Sequence, residues 1–96
     1  MIRSEASVPT RNARRYLRQL RKHWSHKFPV THDETTSAIP FSGDRTAELV
    51  ADQDRLRIRL SVADEAARER MPTVIEEHLD RFAFRETLFY EWRVEP

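Results

Sequence analysis

In Arg55-Leu56-Arg57-Ile58-Arg59-Leu60-Ser61-Val62, aliphatic side chains alternate with arginine or serine over the whole stretch. Successive side chains of a β-strand point to opposite faces of a sheet, so this pattern predicts a strand with one apolar face and one charged face. A sheet built on such a strand must cover the apolar face with other elements and can leave the charged face in water.

Segments on both sides of this strand also favour β-structure, because they are rich in β-branched, aromatic or alternating residues. The predicted strands are Ser4 to Val8, Phe28 to His32, Ala38 to Phe41, Thr46 to Ala51 and Leu88 to Val94. The first of these is expected at an edge of the sheet. Turns are expected at Ser42-Gly43-Asp44, which holds the only glycine of the chain, and at Asp52-Gln53-Asp54.

Two segments carry the spacing of an amphipathic helix. The first is predicted from about Arg11 to His26, with Thr10 as its N-cap. Its inner stripe consists of Ala13, Tyr16, Leu17, Leu20 and Trp24. The second begins near Ala63-Asp64 and is interrupted by Pro72, where we expect a break or a kink. Its inner stripe consists of Ala67, Met71, Val74, Ile75, His78, Leu79 and Phe82.

The order of elements is therefore β-α-β-β-β-β-α-β. Strands that follow one another directly indicate an antiparallel sheet, because parallel neighbours need a long crossover connection. We predict one α+β domain over residues 1–96. It is a two-layer sandwich, with an antiparallel β-sheet and two helices on one face.

The composition limits the classes of protein. The chain has no cysteine, which excludes disulfides, thiol nucleophiles and cysteine-bound zinc and fits a reducing cytosol. No long apolar run suggests a signal peptide or a transmembrane span, so we expect a soluble cytoplasmic protein. Residues 1–27 hold eight Lys or Arg and one acid, whereas residues 28–96 hold nine and fifteen. This asymmetry favours an anionic partner, or docking of the basic part on the acidic part within the chain or across a dimer.

The predicted first helix carries a basic face. At about 100° per residue its cations fall on an arc of roughly 120°. These cations are Arg11, Arg14, Arg15, Arg18, Arg21 and Lys22. The face can bind phosphates, but a solvated face or one docked on the acidic second helix is the interpretation that we favour. Sequence-specific DNA binding is disfavoured further, since Asn12 and Gln19 are the only amide side chains on this helix.

No catalytic template fits the chain. A single glycine excludes a P-loop or a dinucleotide fingerprint, and neither Gly-x-Ser-x-Gly nor His-Glu-x-x-His occurs. No pair of carboxylates stands out as general acid and base. We therefore do not expect an enzyme, and the sequence assigns no cofactor.

Three of the four histidines lie in two dense aromatic and basic stretches, His23 to Phe28 and His78 to Glu86. His23 and His26 are one turn apart, a spacing that lets two imidazoles share a metal ion or an anion but also suits cations at a helix C-terminus. His78 occupies a core position and needs a partner, most commonly from the protein itself. Phe82 and Phe84 are expected in the core. We predict that the two stretches meet in space. The candidate ligand-binding residues are His23, His26, Lys27, His78, Arg81, Arg85 and Glu86, with His23, His26 and His78 as candidate metal ligands.

The same two stretches resemble the signatures of a family of small bacterial proteins, the domain-of-unknown-function family 2218. The first signature is matched by Ala13 to Phe28 and the second by His78 to Glu86. The resemblance covers nearly the whole chain, but the family has no established reaction, so no catalytic residue is assigned. It implies a link to iron uptake, because similar domains occur beside or fused to siderophore-interacting flavin reductases. Where the family pattern has a cysteine in the first helix, this chain has Arg21, which argues against a thiol role.

Together these observations predict a small cytoplasmic binding or accessory protein, linked by resemblance to iron or siderophore handling. Its expected ligand is an anionic small molecule or a metal chelate. The alternatives are a nucleic-acid or anionic-surface binder that uses the basic face of the first helix, and a homodimer with no ligand. Of the partners, nucleic acid is less favoured and a membrane is not expected.

Overall fold

The alternating stretch Arg55–Val62 forms a strand with the predicted bounds. It belongs to a computed structural model that describes residues 1–95. The elements are β1 (Ile2–Pro9), α1 (Ala13–Trp24), β2 (Thr31–His32), β3 (Thr36–Ser42), β4 (Arg45–Ala51), β5 (Arg55–Val62), α2 (Glu65–Phe82) and β6 (Trp92–Val94). Their order is the predicted one, and the predicted α+β class is confirmed.

The six strands form one sheet in the order β2-β3-β4-β5-β1-β6, and each neighbouring pair is antiparallel. The alternation in β5 sets which residues share a face. Ile58 lies opposite Ala6 of β1 and Leu49 of β4, and all three are buried. Arg59 lies opposite Glu5 and Glu48 on the other face.

Both helices cover the apolar face of the sheet, since each contacts β5 and they contact one another. Leu17 and Leu20 of α1 and Ile75 and Leu79 of α2 are fully buried there. Burial of this kind contributes about 1.5–3 kcal/mol for each large aliphatic side chain, so a few such residues carry much of the stability of a short chain.

The other face of the sheet is open and charged. Arg59 forms ion pairs with Glu5 at 3.4 Å and with Glu95 at 3.6 Å. Arg59 also lies opposite Glu48 of β4, and Arg93 of β6 lies opposite Glu5 of β1. Exposed cross-strand pairs of opposite charge contribute only a few tenths of a kcal/mol each, so this face fixes strand pairing more than it stabilises the fold.

Helix α1 is shorter at both ends than predicted. Thr10 is not its N-cap, because the Thr10 hydroxyl accepts a hydrogen bond from the Asn12 backbone N–H (3.1 Å) and closes the turn before the helix. The helix ends at Trp24 rather than His26. The backbone N–H groups of Lys27 and Phe28 both donate to the Trp24 carbonyl, which closes a turn ahead of Pro29.

Helix α2 runs from Glu65 to Phe82 without the break that was expected at Pro72. Asp64 caps the helix by accepting a hydrogen bond from the Ala67 backbone N–H at 2.8 Å. Proline removes only one hydrogen bond from a helix. Burial of Met71 and Ile75 on either side of it keeps the helix continuous.

Strand β1 is not an edge strand, because β6 pairs with it through Ser4, Glu5 and Ala6. Strand β6 begins at Trp92 instead of Leu88, since the residues before it turn toward α2. The Tyr90 hydroxyl donates to Asp80 at 2.9 Å, and the Trp92 indole donates to Glu76 at 2.9 Å. At the opposite edge β2 contains only Thr31 and His32. In residues 1–95 no helix combines the length and apolarity needed to cross a membrane.

Replacing Leu20 by alanine tests the inner face of α1. Leu20 is fully buried between α1 and the sheet, so the change should lower the free energy of unfolding by about 2–5 kcal/mol. Urea unfolding followed by circular dichroism measures this loss. Arg18→Ala on the exposed face of the same helix is the control and should change it by about 0.5 kcal/mol or less. Equal effects of the two variants would show that the inner face is wrongly assigned.

Candidate functional site

The two aromatic and basic stretches meet where the C-terminal halves of α1 and α2 lie together, as predicted. The ring centroids of His23 and His78 are 5.1 Å apart. Phe82 lies beside this pair, with its centroid 6.3 Å from that of His23. His23 is exposed and His78 is half-buried, so the pair is open to solvent on the side of α1.

The ring of His78 packs against a cluster of aromatic side chains. The indole of Trp24 lies 4.9 Å from the His78 ring and 5.1 Å from the ring of Phe41, which in turn contacts Phe28 at 5.1 Å. Trp24 is 4 % exposed. These ring contacts restrict the position of His78, because an aromatic side chain packed on several sides has few alternative rotamers.

A hydrogen bond fixes which nitrogen of His78 carries the proton. Nδ1 lies 2.7 Å from the carbonyl oxygen of Val74, one turn earlier in α2. A carbonyl only accepts, so Nδ1 carries the proton and donates. In the neutral ring Nε2 is then the unprotonated nitrogen that can accept a hydrogen bond or bind a metal. Histidines that bind metals are commonly held by such a hydrogen bond from the other ring nitrogen to a backbone carbonyl.

The surroundings of His23 favour its neutral form. Partial desolvation by its neighbours lowers the pKa of His23, and the charges of His78, Arg81, Lys27 and His26 lower it further. The positive groups therefore lie close enough to act on the imidazole. The His23 imidazole therefore lies in a cationic environment, which favours its neutral form and attracts anionic ligands.

His26 completes an open depression next to the pair but does not share the ring contacts. The depression has a volume of about 360 Å³ and is lined by Gln19, Lys22, His23, His26 and Phe82. Since α1 ends at Trp24, His26 lies in the following turn and is not held one helical turn from His23. Within residues 1–95 no three His, Cys, Asp or Glu side chains are grouped to hold a metal ion. The structure thus offers two imidazoles rather than the three-histidine site that the sequence suggested.

Arg81 and Arg85, the two cations of the second signature, have different surroundings. Arg81 acts on His23 through its charge, whereas the Arg85 guanidinium lies 5.4 Å above the ring of Phe84. Phe84 was expected in the core, but it is 74 % exposed. It follows the end of α2 at Phe82, where the chain leaves the helical stripe, so the helical spacing no longer decides its direction. Arg85 therefore belongs to a different surface from the imidazole pair.

Glu86 is a structural clasp and not a member of the imidazole pair. Its Oε2 accepts hydrogen bonds from the Thr10 hydroxyl (3.1 Å), the Asn12 amide (2.8 Å) and the Tyr16 hydroxyl. The bond from Tyr16 is the largest cause of the lowered pKa of Glu86, followed by that from Asn12. The clasp ties the chain after α2 to the start of α1. The Tyr16 hydroxyl was not predicted as its partner, although both residues lie in the signatures.

The basic face of α1 does not dock on α2 within the chain. Its six cations are exposed except for Arg21, which is half-buried. None of them forms an ion pair with a carboxylate of residues 1–95. Arg21 instead donates a hydrogen bond to Nδ1 of His32 at 3.0 Å. The docked interpretation of this face therefore has no support inside the chain, and its charges face solvent.

Opposite ring tautomers are expected for two histidines. His78 should carry its proton on Nδ1, because that nitrogen donates to the Val74 carbonyl. His32 should carry it on Nε2, because its Nδ1 accepts from the Arg21 guanidinium. Long-range ¹H–¹⁵N correlation spectra at a pH where both rings are neutral report the tautomer of each ring directly. The same tautomer in both rings would contradict one of these hydrogen bonds.

The clasp should stabilise the fold only while Glu86 is ionised. Its pKa is lower in the folded protein than the ordinary value of 4.5. The contribution is therefore complete above that value and is lost as the pH falls through the folded pKa. Glu86→Gln should lower the free energy of unfolding by about 1–3 kcal/mol at neutral pH. It should also make this free energy depend less steeply on pH in acid. Urea titrations between roughly pH 6 and 3 measure both effects. Glu77→Gln, an exposed change on α2, should leave the acid slope as it is in wild type.

Comparison with other proteins extends these observations. None of the curated proteins matches the chain. The structure is similar to the NMR structure of PA4090 from Pseudomonas aeruginosa, with 39 % sequence identity and a TM-score of 0.82. That alignment covers 97 % of this chain and 96 % of the other. A family model described as "Uncharacterized protein conserved in bacteria (DUF2218)" matches residues 5–93. The chain belongs to this bacterial family, as the two signatures indicated.

Proposed function

We propose that this protein is a small cytoplasmic accessory protein that binds an anionic metal chelate through His23 and His78. The observation that supports the proposal most is the separation of the two rings. Two imidazoles bound to one metal ion through bonds of about 2.0–2.1 Å have ring centroids roughly 5 Å apart. Here the centroids are 5.1 Å apart, and Nδ1 of His78 is committed to the Val74 carbonyl.

The number of imidazoles selects a chelate over a free ion. Two nitrogens are too few to hold a metal ion tightly, since protein sites usually provide three or four ligands. A chelating molecule can supply the missing ligands if it fills the other coordination positions of the metal and leaves two neighbouring positions free. Lys27 and Arg81, whose charges act on His23, favour a complex with net negative charge and disfavour a bare dication.

Imidazole suits iron, zinc, copper and nickel, so the metal is not set by the pair alone. The family resemblance favours iron, and iron or siderophore handling is the role that we propose. A ferric siderophore with every metal position filled would bind through charge and not through the metal. The test must therefore contain both kinds of complex.

Titration of untagged protein with defined complexes tests the proposal. Nickel(II) nitrilotriacetate is anionic and leaves two positions open, and iron(III) nitrilotriacetate leaves the same two positions with no net charge. A ferric tricatecholate siderophore is strongly anionic and leaves none. Zinc alone and haem complete the series. Isothermal titration calorimetry should show binding of the nitrilotriacetate complexes to wild type. The double variant His23→Ala/His78→Ala should bind at least about tenfold more weakly, a loss of roughly 1.4 kcal/mol.

The controls separate a metal-binding pair from ordinary ring packing. His32→Ala removes an exposed imidazole that contacts Arg21 and should bind like wild type. Metal-free nitrilotriacetate reports the purely electrostatic part of the affinity. Identical curves for wild type and the double variant would refute the site, and a loss of stability alone would assign the pair to packing. Binding of the saturated siderophore with no binding of the open complexes would refute metal coordination.

A further inference from the structure

A second surface, which the proposed function does not use, is formed by the loop after α2. Phe84 and Phe89 of this loop are 74 % and 73 % exposed. The Arg85 guanidinium covers one face of the Phe84 ring at 5.4 Å. Isolated exposed aliphatic residues are common on proteins, but two exposed phenylalanines in one loop give a surface on which flat, apolar groups can stack.

The Glu86 clasp holds this loop beside the basic face of α1. Glu86 binds Asn12 and Tyr16, and successive Cα atoms are about 3.8 Å apart, so Phe84 and Phe89 lie within roughly 8 and 12 Å of the Glu86 Cα along the chain. Arg11 precedes Asn12, and Arg15 precedes Tyr16. Burial and the Glu86 carboxylate raise the pKa of Tyr16, whereas the charge of Arg15 lowers it, so this guanidinium lies near the clasp.

The cations on this side of the molecule are not neutralised by the chain. Arg11, Arg15 and Arg85 are exposed. None of the three forms an ion pair with a carboxylate in the described residues. Unpaired guanidinium groups beside exposed aromatic rings are the arrangement that binds phosphates and stacks bases at the same time. The complementary partner is a polyanion with flat apolar groups.

The structure also decides which polyanion fits. The amide side chains of Asn12, just before α1, and of Gln19 within it are not free to read base edges, because the Asn12 amide donates to Glu86 and Oε1 of Gln19 is buried. In a duplex the base faces are stacked on one another and cannot reach Phe84. An anionic membrane is a plane that would also meet the exposed carboxylates of Asp80 and Glu91 near Phe89.

From these observations we infer that the start of α1 and the loop after α2 bind single-stranded nucleic acid without sequence preference. Arg11, Arg15 and Arg85 contact successive phosphates, and Phe84 and Phe89 stack on bases. Every base has an apolar face, so stacking of this kind tolerates any sequence. The inference does not depend on the imidazole pair.

Fluorescence anisotropy with a short fluorescein-labelled oligothymidine tests the inference. If three phosphates are neutralised, the logarithm of the association constant should fall against that of the salt concentration with a slope of about −2. Phe84→Ala and Phe89→Ala should each weaken binding roughly 5- to 150-fold, the range measured for loss of one stacked base. Both side chains are exposed, so these changes should not affect folding.

Charge variants provide the second readout. Arg11→Gln/Arg15→Gln should weaken binding and make the salt slope shallower by about 1.4, since two phosphate contacts are lost. Arg55→Gln/Arg57→Gln removes the same charge from the open face of the sheet and should leave both quantities unchanged. Val94→Ala is the matched control for loss of an exposed apolar side chain.

Several outcomes would overturn the inference. They are absence of binding at low salt, wild-type affinity of the two phenylalanine variants, and tighter binding of a duplex than of the single strand. Binding of vesicles rich in anionic lipid in place of oligothymidine would assign the surface to a membrane. Self-association of wild type that disappears in Phe84→Ala would assign it to a second copy of the chain. His23→Ala/His78→Ala should bind oligothymidine like wild type, so failure here and failure of the chelate site are distinguishable.

Discussion

Burial of the aliphatic face of β5 is the constraint on which the rest of the structure depends. Leu56, Ile58 and Leu60 have their neighbouring arginines on the opposite face, so only one side of the sheet can form a core. In a chain of this length both helices are needed to cover that side. Two helices packed side by side on one face must contact one another. Their contact brings His23 and His78 together, so the candidate site is a consequence of how the core is closed.

The elements that the sequence predicted best are those whose evidence is local. The alternation in β5 gave its bounds without error, and the spacing of Tyr16, Leu17 and Leu20 gave the buried face of α1. The errors concern long-range contacts. Whether β1 is an edge depends on β6, which lies far along the chain, and the continuity of α2 at Pro72 depends on burial of the residues around it. Local patterns do not contain that information.

For the candidate site, too, the sequence predicted some features and not others. The meeting of the two stretches could be inferred, because both histidines lie at or near the inner stripes of their helices. The roles of the other signature residues could not. Glu86 and Tyr16 form a partly buried hydrogen bond that joins the two stretches, whereas Phe84 and Arg85, which lie close to Glu86 in the chain, face solvent. After the end of α2 no periodicity links a residue's position to its direction, so a structure is needed to separate the clasp from the exposed residues.

A metal site needs an unprotonated imidazole and must also attract the species that carries the metal, and these two requirements usually conflict. The cations around His23 make them compatible. A metal ligand must be unprotonated, and positive neighbours lower the pKa of His23 after burial has done so. The same positive charges repel a free metal cation, which weakens binding of a bare ion at this place. A metal that arrives within an anionic chelate escapes this repulsion, because the complex as a whole is attracted while its metal still meets neutral nitrogens. The electrostatics of the pair thus point to the same class of ligand as the number of imidazoles, and the two arguments are independent.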